Sequence, residues 1–550
     1  MPAEPPLSES TKIRRIESIC YCAGLALVIF LLYGQTIDHE FVAFDDDRYI
    51  YKHKMVADGL SSEGFWHAWS LKSSKNLDWD PHGNWHPLTW LSLMWDSSLY
   101  GAEKADAGGF VLTNVALHAA NAVLLFIVLR QLGGSLLFAI SVSAIFALHP
   151  LRVEAVAWAC QRKEVLSSFF GLISILFYVR FAWRPAIGRY LLVVLFLGLS
   201  MMSKQTLVAL PVALLLVDYW PLRRTRNDDD GATEEGARLG ERASWGRLVL
   251  EKLPLLLICA LSAYMAFRGV SDEGGTHSSD KLSVTVRAAN AAVGYAEMVG
   301  KNFWPTDLAI FYPHRAMVDE DGGKQLLVPG MLSAVLLLGI TGVVVWQLPA
   351  RPYLAVGWFW FALMLGPMSG LSQAGYHAWT DRFTYIPSIG LYVMVVGVCA
   401  EVTRRWLPMR WIMGLALFGA CVALGVATYK QVATWRDSKT TFEHALSVTS
   451  RNYLIHYNLG VELTDKGYRS TDRESAGRYF AEAETHFEAA CEIMPSQARL
   501  HVNLGKTYEI TGRKEQALAK YREAHEVEPG NANAYQNLRR LQAELGQEGR

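Results

Sequence analysis

The chain has 550 residues, of which 51% are hydrophobic and 19% charged, against about 25% charged in an ordinary soluble domain. Its formal net charge of zero hides a strongly uneven distribution, and no nucleic-acid partner is expected. Seven scattered cysteines form no CxxC or metal-spaced set, so neither a disulfide framework nor a thiolate metal site is suggested.

Apolar stretches of about 20 residues recur through the first three quarters of the chain, the mark of a multi-spanning membrane protein. The first, "CYCAGLALVIFLLYG", follows "KIRR". It lacks a small-x-small cleavage site and reads as a retained anchor with a cytoplasmic N-terminus. Hydropathy places further spans near 109–130, 134–149, 164–182, 188–203, 206–221, 249–268, 329–347, 353–370, 385–402 and 411–430. With the first, at 17–34, that predicts about 11 transmembrane helices.

Alternate connections carry the arginines: Arg130; Arg180, Arg184 and Arg189; Arg223, Arg224 and Arg226; Arg351; Arg404, Arg405 and Arg410. All fall on the side of "KIRR", as the positive-inside rule requires. The long segments 35–108 and 269–328 fall on the opposite side. Within the second, 284–303 has the spacing of a helix lying on the membrane surface. Asp45, Asp46 and Asp47 therefore emerge outside the cytoplasm, just past the first span.

After residue 434 the pattern becomes that of soluble helices. Asn503 and Asn537 are 34 residues apart, as are Pro495 and Pro529, the period of tetratricopeptide repeats. Phe487 with Ala490 and Tyr521 with Ala524 occupy matching places, and Phe442 with Ala445 marks a preceding half-unit. Asn458 to Asn503 is longer by 11, and the polar "GYRSTDRESAG" is expected to hold the insertion. The expectation is one membrane domain over 1–434 and a short repeat array over 435–550. So short an array should lean on its neighbour, as a peptide-binding groove or as a structural cap.

Polar clusters gather on the predicted outer side: "DWDPHGNWHPLTW" (78–90), "TNVALHAAN" (113–121), "HPLRVEAVAWACQRKEVLS" (149–167), "SKQT" (203–206), "FYPH" (311–314) and "HAWTDRFTYIP" (377–387). Asn114, His118 and Asn121 share one helical face. Ionisable groups at membrane depth face a cavity or one another. Carboxylates, imidazoles and cations together point to a site for an anionic, lipid-borne substrate.

"FVAFDDDRYI", "NWHPLTWLSLMWDSSLYG", "LTNVALHAANAVLLF", "FALHPLRVEAVAWACQRKEVLS", "SKQTLVALPVALLLVDYWPL", "LAIFYPH" and "DRFTYIPSIGLY" occur in this order. With the trailing repeats they resemble the TMTC family of transmembrane and tetratricopeptide-repeat proteins, especially its bacterial members. The family belongs to the GT-C glycosyltransferases. The resemblance implies an all-α, polytopic GT-C bundle followed by an extracytoplasmic repeat solenoid. It implies a transferase moving a sugar, mannose in characterised relatives, from a polyprenyl phosphate to a protein Ser or Thr hydroxyl. The setting expected is a bacterial inner membrane, with site and repeats in the periplasm and the acceptor protein or peptide engaged through the repeats.

The family's acidic pair matches Asp45 and Asp46, with Asp47 following it. A carboxylate within hydrogen-bond reach can take the hydroxyl's proton, and an adjacent carboxylate raises its pKa. Attack opposite the departing phosphate would invert the anomeric centre. The phosphate needs cations: Lys204, Arg162, Lys163, Arg382 and then Arg152. Glu154, His118, Asn114, His86 and Trp85 are candidates for orienting groups or for the sugar or acceptor site. Plainer readings stand beside these. Glu154 pairs with Arg152 or Arg162; His118, Asn114 and Asn121 act as polar glue; the tryptophans form an interfacial belt; His86 and His149, before prolines, terminate helices. Oxygen ligands near three aspartates suit Mg or Ca, but such acids are common in metal-free GT-C sites, so no obligatory metal or other cofactor is expected. Relatives often read Lys-Pro at Lys204-Gln205 and Arg-Lys-Asp at Arg162-Lys163-Glu164, which leaves sugar and acceptor preference open. The alternative is a non-catalytic membrane scaffold, in which Asp45, Lys204 and Arg382 would be dispersed.

Overall fold

The computed structural model describes residues 9–70, 85–225, 240–272, 282–318, 323–371, 375–406 and 408–548. Residues 78–84 of the aromatic cluster, parts of the 35–108 and 269–328 connections, Arg226 and the "KIRR" side chains lie outside the described residues. Secondary structure among the described residues is helical, apart from one antiparallel bridge between Pro313 and His377.

Six helices are long and apolar enough to cross a bilayer: Ile16–Asp38, Gly108–Gln131, Ala159–Trp183, Trp245–Met265, Lys324–Trp346 and Met409–Ala433. A seventh arises if the bent pair Leu136–Leu148 and Pro150–Ala157 is one span. The other expected spans fall on the shorter apolar helices Ile187–Ser203, Leu210–Tyr219 and Pro352–Met368, and on Ser388–Arg405. The first three fall short of the roughly 20 apolar residues a span needs, and the last ends in two arginines. Large apolar side chains stay exposed on the outermost helices, as with Leu338 at 70% and Leu415 at 73%. Lipid is the solvent that suits such a surface, and the chain is a multi-pass membrane protein.

Close helix contacts rest on small residues, as expected where no hydrophobic effect drives association. The Pro352–Leu365 and Ser388–Arg405 helices meet at Gly357 and Gly390. A Cβ on Gly357 would lie 2.4 Å from the Gly390 carbonyl oxygen. Helix Val284–Phe303 is not among the spans; it buries Val286, Asn290, Gly294 and Met298 along one side. Near the arginine-rich end, Arg224 is fully buried and bonds Asp218 (3.2 Å) and Glu251 (2.8 Å). It is thus a structural cation as well as a topological signal.

The two X-Pro histidines differ. His149 ends the Leu136–Leu148 helix, and its ring accepts from the Leu151 amide (3.2 Å) at a bend of 59°. His86 precedes a helix start, with Pro87 in the first turn, where proline's missing N–H costs nothing.

The repeat array comprises Ser438–Val448, the pair Tyr453–Arg469 and Arg473–Ile493, the pair Ala498–Ile510 and Lys514–Val527, and Ala532–Glu548. This is the expected half-unit, two full units and final helix. The insertion is not a loop. The first pair has helices of 17 and 21 residues against 13 and 14 in the next, with connections of equal length. Those extensions are about one and two turns, so the facing sides stay in phase. Gly460 and Gly505 sit against the rings of Phe487 and Tyr521, where a Cβ would approach to 2.8 and 2.7 Å.

The array docks on the membrane domain beside the acidic loop. Lys104 Nζ bonds Glu462 (3.1 Å) and Asp465 (2.9 Å). Asn452 donates to the Phe311 carbonyl (3.2 Å), and Phe44 packs near Phe442.

Candidate functional site

The acidic loop is held by its own chemistry. Phe41 and Val42 are buried, and Phe44 stands edge-on to Trp158 with centroids 5.8 Å apart. The three aspartates then diverge. Asp46 turns inward, 1% exposed, accepting from the backbone amides of Val42 (2.9 Å) and Cys160 (2.9 Å). It ties the loop to the turn ahead of the Arg162–Trp183 helix. Burial pushes its carboxyl up to about 7, against the opposing pull of those amides. Asp47 turns outward and pairs with Lys52 at 3.1 Å. Asp45 remains half-buried, and its carboxylate lies within electrostatic range of Lys163 and Arg382.

Lys163 and Arg382 lie within electrostatic range of Asp45, and Lys204 and Glu154 neighbour Arg382 in turn. Lys163 Nζ sits 4.2 Å from the centroid of the Tyr49 ring. Lys204 Nζ donates to Glu164 at 2.5 Å and lies 5.9 Å from the Phe383 ring. Burial pulls Lys204 below its ordinary value, and the neighbouring Arg382 and Lys163 add to the effect. Arg382 lies on the short turn Asp381–Thr384, between the Trp158 ring (5.4 Å) and the Phe383 ring (5.3 Å). Glu154 accepts from the Arg382 backbone amide at 2.7 Å and from its guanidinium. Burial alone would lower Arg382; Glu154 and Asp45 outweigh it and hold the guanidinium above its ordinary value. Glu154 therefore pairs with neither Arg152 nor Arg162.

Two candidate phosphate cations are committed elsewhere. Arg162 is 0% exposed; it donates to Asn114 Oδ1 (2.5 Å), Ser92 (2.6 Å), Asp96 (2.5 Å) and the Phe110 carbonyl (2.8 Å). Arg152, also 0% exposed, clamps the carbonyls of Thr384 (3.0 Å) and Tyr385 (2.5 Å) and the hydroxyls of Thr384 and Ser388. Desolvated arginines with such partner sets are held in place. Both are thus spent on structural partners.

The Asn114–His118–Asn121 face is polar glue. Asn114 donates to the Val156 (3.2 Å) and Trp158 (3.1 Å) carbonyls, and Asn121 donates to the Val165 carbonyl (3.0 Å) and the Tyr385 hydroxyl (3.1 Å). His118 Nδ1 meets that hydroxyl at 2.7 Å and Nε2 the Ala147 carbonyl at 3.1 Å. A ring donating from Nε2 and accepting from tyrosine at Nδ1 satisfies every partner. His86, Tyr49 and Trp90 form one ring cluster, with His86 5.7 Å from Tyr49 and 5.0 Å from Trp90, and the Trp85 carbonyl accepts from Gln205 (2.7 Å). His86 thus packs against the Tyr49 ring over which Lys163 lies, whereas Trp85 is tied to Gln205.

His314 and His377, in "FYPH" and "HAWTDRF", carry no pattern in the sequence that marks them as site residues. The Pro313–His377 bridge brings them together. His377 feels Arg382, His314 and Lys204, and burial together with those groups pulls it down to about 3. His314 is 0% exposed. Asp381 accepts from the Tyr312 hydroxyl at 2.7 Å, and Lys301 donates to that hydroxyl at 2.8 Å. The only hint in the sequence was imidazoles beside aromatic and proline residues. Among the described residues no group of three or more His, Cys, Asp or Glu is gathered as for a metal ion.

No family model matches the chain. The protein O-mannosyl-transferase TMTC4 of Mus musculus is 24% identical over 80% of this chain and 64% of its own length. Tmtc1 of Drosophila melanogaster is 24% identical over 91% of this chain and 64% of its own. TMTC3 of Homo sapiens is 22% identical over 84% of this chain and 52% of its own. The chain thus spans less than two thirds of the length of these relatives. Over most of its own length the chain is thus similar to protein O-mannosyl-transferases of the TMTC type.

Proposed function

We propose that this chain is a GT-C-type glycosyltransferase that moves a sugar from a polyprenyl-phosphate donor to a protein Ser or Thr hydroxyl. Mannose is the sugar that the relatives' printed names support. The observation that supports the reading is half-buried Asp45 within electrostatic range of Lys163 and Arg382, with Lys204 in range of both cations.

Asp45 takes the proton of the acceptor hydroxyl as its oxygen bonds to the anomeric carbon. On the opposite face the bond from that carbon to the phosphate oxygen breaks, and the configuration inverts. The lipid phosphate leaves with the electron pair, and Lys163, Lys204 and Arg382 balance the charge that develops on it. Asp46 positions Asp45, because it fixes the loop to the Cys160 amide. Arg382 offers a planar fork to phosphate oxygens and the lysines compact charges. No step requires a metal.

The repeats present the acceptor. The Ser438 hydroxyl accepts from the Ala43 amide at 2.9 Å, two residues before Asp45, so the first helix of the array is registered to the acidic loop. The site belongs to the end away from the arginine-rich connections, which the positive-inside rule makes extracytoplasmic; in a bacterial inner membrane that side is the periplasm.

The test is incubation of purified protein with polyprenyl-phosphate mannose and a Ser/Thr-rich protein acceptor, read by mass spectrometry. A hexose on a hydroxyl that disappears with Asp45→Asn supports the proposal. Failure of every lipid-linked donor would leave the scaffold reading, and undiminished transfer by Asp45→Asn would overturn the assignment of Asp45 as the base.

A further inference from the structure

The transfer chemistry makes no use of the charges on the repeat array. The first helices of its two pairs, Tyr453–Arg469 and Ala498–Ile510, carry Asn458 and Asn503 at matching places. Residues four before and three after each asparagine share its helical face: Leu454 and Val461 on one helix, Arg499 and Lys506 on the next. That face lies away from Gly460 and Gly505, whose close approach to Phe487 and Tyr521 joins each pair. It is the inner side of the array, where stacked helix pairs build a binding surface.

The face is continuous with the acidic site. Asn503 Nδ2 donates to the Tyr457 hydroxyl at 3.3 Å and to the Arg499 carbonyl at 2.9 Å, and the Arg499 guanidinium lies 5.0 Å from the Tyr457 ring. Burial pushes the Tyr453 hydroxyl up to about 12, and Arg499 beside it pulls against that rise. Tyr453 in turn meets the ring of Tyr376 edge-on at 6.3 Å, and Tyr376 is 38% exposed. Tyr376 precedes His377, whose ring lies within electrostatic range of Arg382 and Lys204. One track of rings thus runs from the cations of the site to Arg499.

Its charge is one-sided. The acids of the two helices are already answered, Glu462 and Asp465 by Lys104 and Glu509 by Arg540 at 2.7 Å. Arg499 and Lys506 have no carboxylate within ion-pair distance among the described residues, and Arg499 Nε is buried without an acceptor. A guanidinium stacked on a ring and short of acceptors suits a carboxylate. The half-buried amides of Asn458 and Asn503 suit the N–H and C=O groups of an extended chain. We propose that this face binds an extended, acidic segment of the acceptor polypeptide, with a carboxylate seated on Arg499 and the hydroxyl-bearing residue reaching past Tyr376 toward Asp45. This rests on the reading that the repeats present the acceptor.

The test measures binding with no sugar donor present, so it does not depend on transfer. The full chain in an uncharged detergent is titrated into a fluorescent, flexible Ser/Thr-containing peptide bearing glutamates, and into the same peptide bearing glutamines, with anisotropy as the readout. The glutamate peptide should bind roughly 10-fold more tightly, and added salt should narrow the gap. Arg499→Gln should weaken the glutamate peptide by roughly 10-fold and Lys506→Gln by roughly 2- to 5-fold. Arg522→Gln, exposed on the second helix of the same pair, should leave binding unchanged. Absence of binding, equal binding of the two peptides, or Arg499→Gln binding as the unaltered chain does overturns the proposal. Transfer that succeeds while these comparisons fail would keep the glycosyltransferase and remove this face as the acceptor's seat; the expected binding without transfer would support the face alone. Should Arg499→Gln fail to fold, the comparison of the two peptides on the unaltered protein still decides.

Discussion

Glu154 grips Arg382 at two points, its carboxylate accepting from the Arg382 backbone amide at 2.7 Å and from the guanidinium. The two residues are 228 positions apart in the chain. One contact sets where the backbone runs and the other where the charge points, so a single acid fixes a cation within electrostatic range of Asp45. Glu154→Gln should keep the amide contact and lose the ionic one. Hydrogen bonds to charged groups contribute about 1.5–3 kcal/mol, so transfer should fall on the order of 10- to 100-fold. Combination with Arg382→Lys should cost less than the two single effects together, because they share one interaction. Steady-state transfer rates of the three variants measure this.

Asp45 and Asp46 should separate cleanly. Removal of a general base costs on the order of 10²- to 10⁴-fold, so Asp45→Asn is expected to abolish most transfer while leaving the melting temperature near that of wild type. Asp46→Asn places an amide donor against one of two backbone N–H groups. Each buried donor left unmet costs about 1–3 kcal/mol, and that loss should show first as a lower melting temperature. A variant pair with the reverse pattern would exchange the two roles.

The Asp46 carboxyl also dictates a pH dependence. Burial holds its folded value up at about 7, above the ordinary ~3.9 of an unfolded aspartate. Between those values the folded chain binds more protons than the unfolded one, so this group's contribution to stability falls as pH rises. Asp46→Asn has no such proton. The stability margin of wild type over Asp46→Asn should therefore shrink between about pH 4 and pH 8, as followed by melting curves in one detergent. A margin that widens with pH would contradict the burial of this acid.

Lys204 and Glu164 form a pair with side chains 16% and 2% exposed. Removing one partner of a largely buried pair costs about 3–5 kcal/mol, mainly from the stranded charge. Lys204→Met alone should destabilise strongly. Lys204→Met with Glu164→Gln should regain much of that stability without regaining transfer, if Lys204 serves the phosphate. Recovery of both by the double variant would reduce the lysine to a structural counter-ion.

The docking of the repeats is testable at Lys104, whose ammonium bridges Glu462 and Asp465. Lys104 and Glu462 are largely shielded, whereas Asp465 is 39% exposed and its share is discounted for solvent. Lys104→Ala should weaken docking by about 1–2 kcal/mol. Hydrogen exchange should rise in the Ser438–Val448 and Tyr453–Arg469 helices, with little change near Asp218.

By itself the sequence determined the features that repeat locally. Apolar runs marked helices at all eleven expected positions, the 34-residue period located the helix pairs, and the alternation of arginines marked one end of the bundle. Each is a property of one segment and its solvent, so no distant partner is needed to read it. What the tertiary structure decided was how every charge is used. Arg162 and Lys163 are neighbours in the chain, yet the first is spent on Asp96 and Asn114 while the second overlooks Tyr49 near Asp45. Asp45 and Asp46 are equally acidic in sequence, yet only one keeps its oxygens clear of backbone amides among the bonds seen here. The reason is geometric: successive helical residues point about 100° apart. The partner each charge meets in a low-dielectric interior depends on elements tens to more than a hundred residues away.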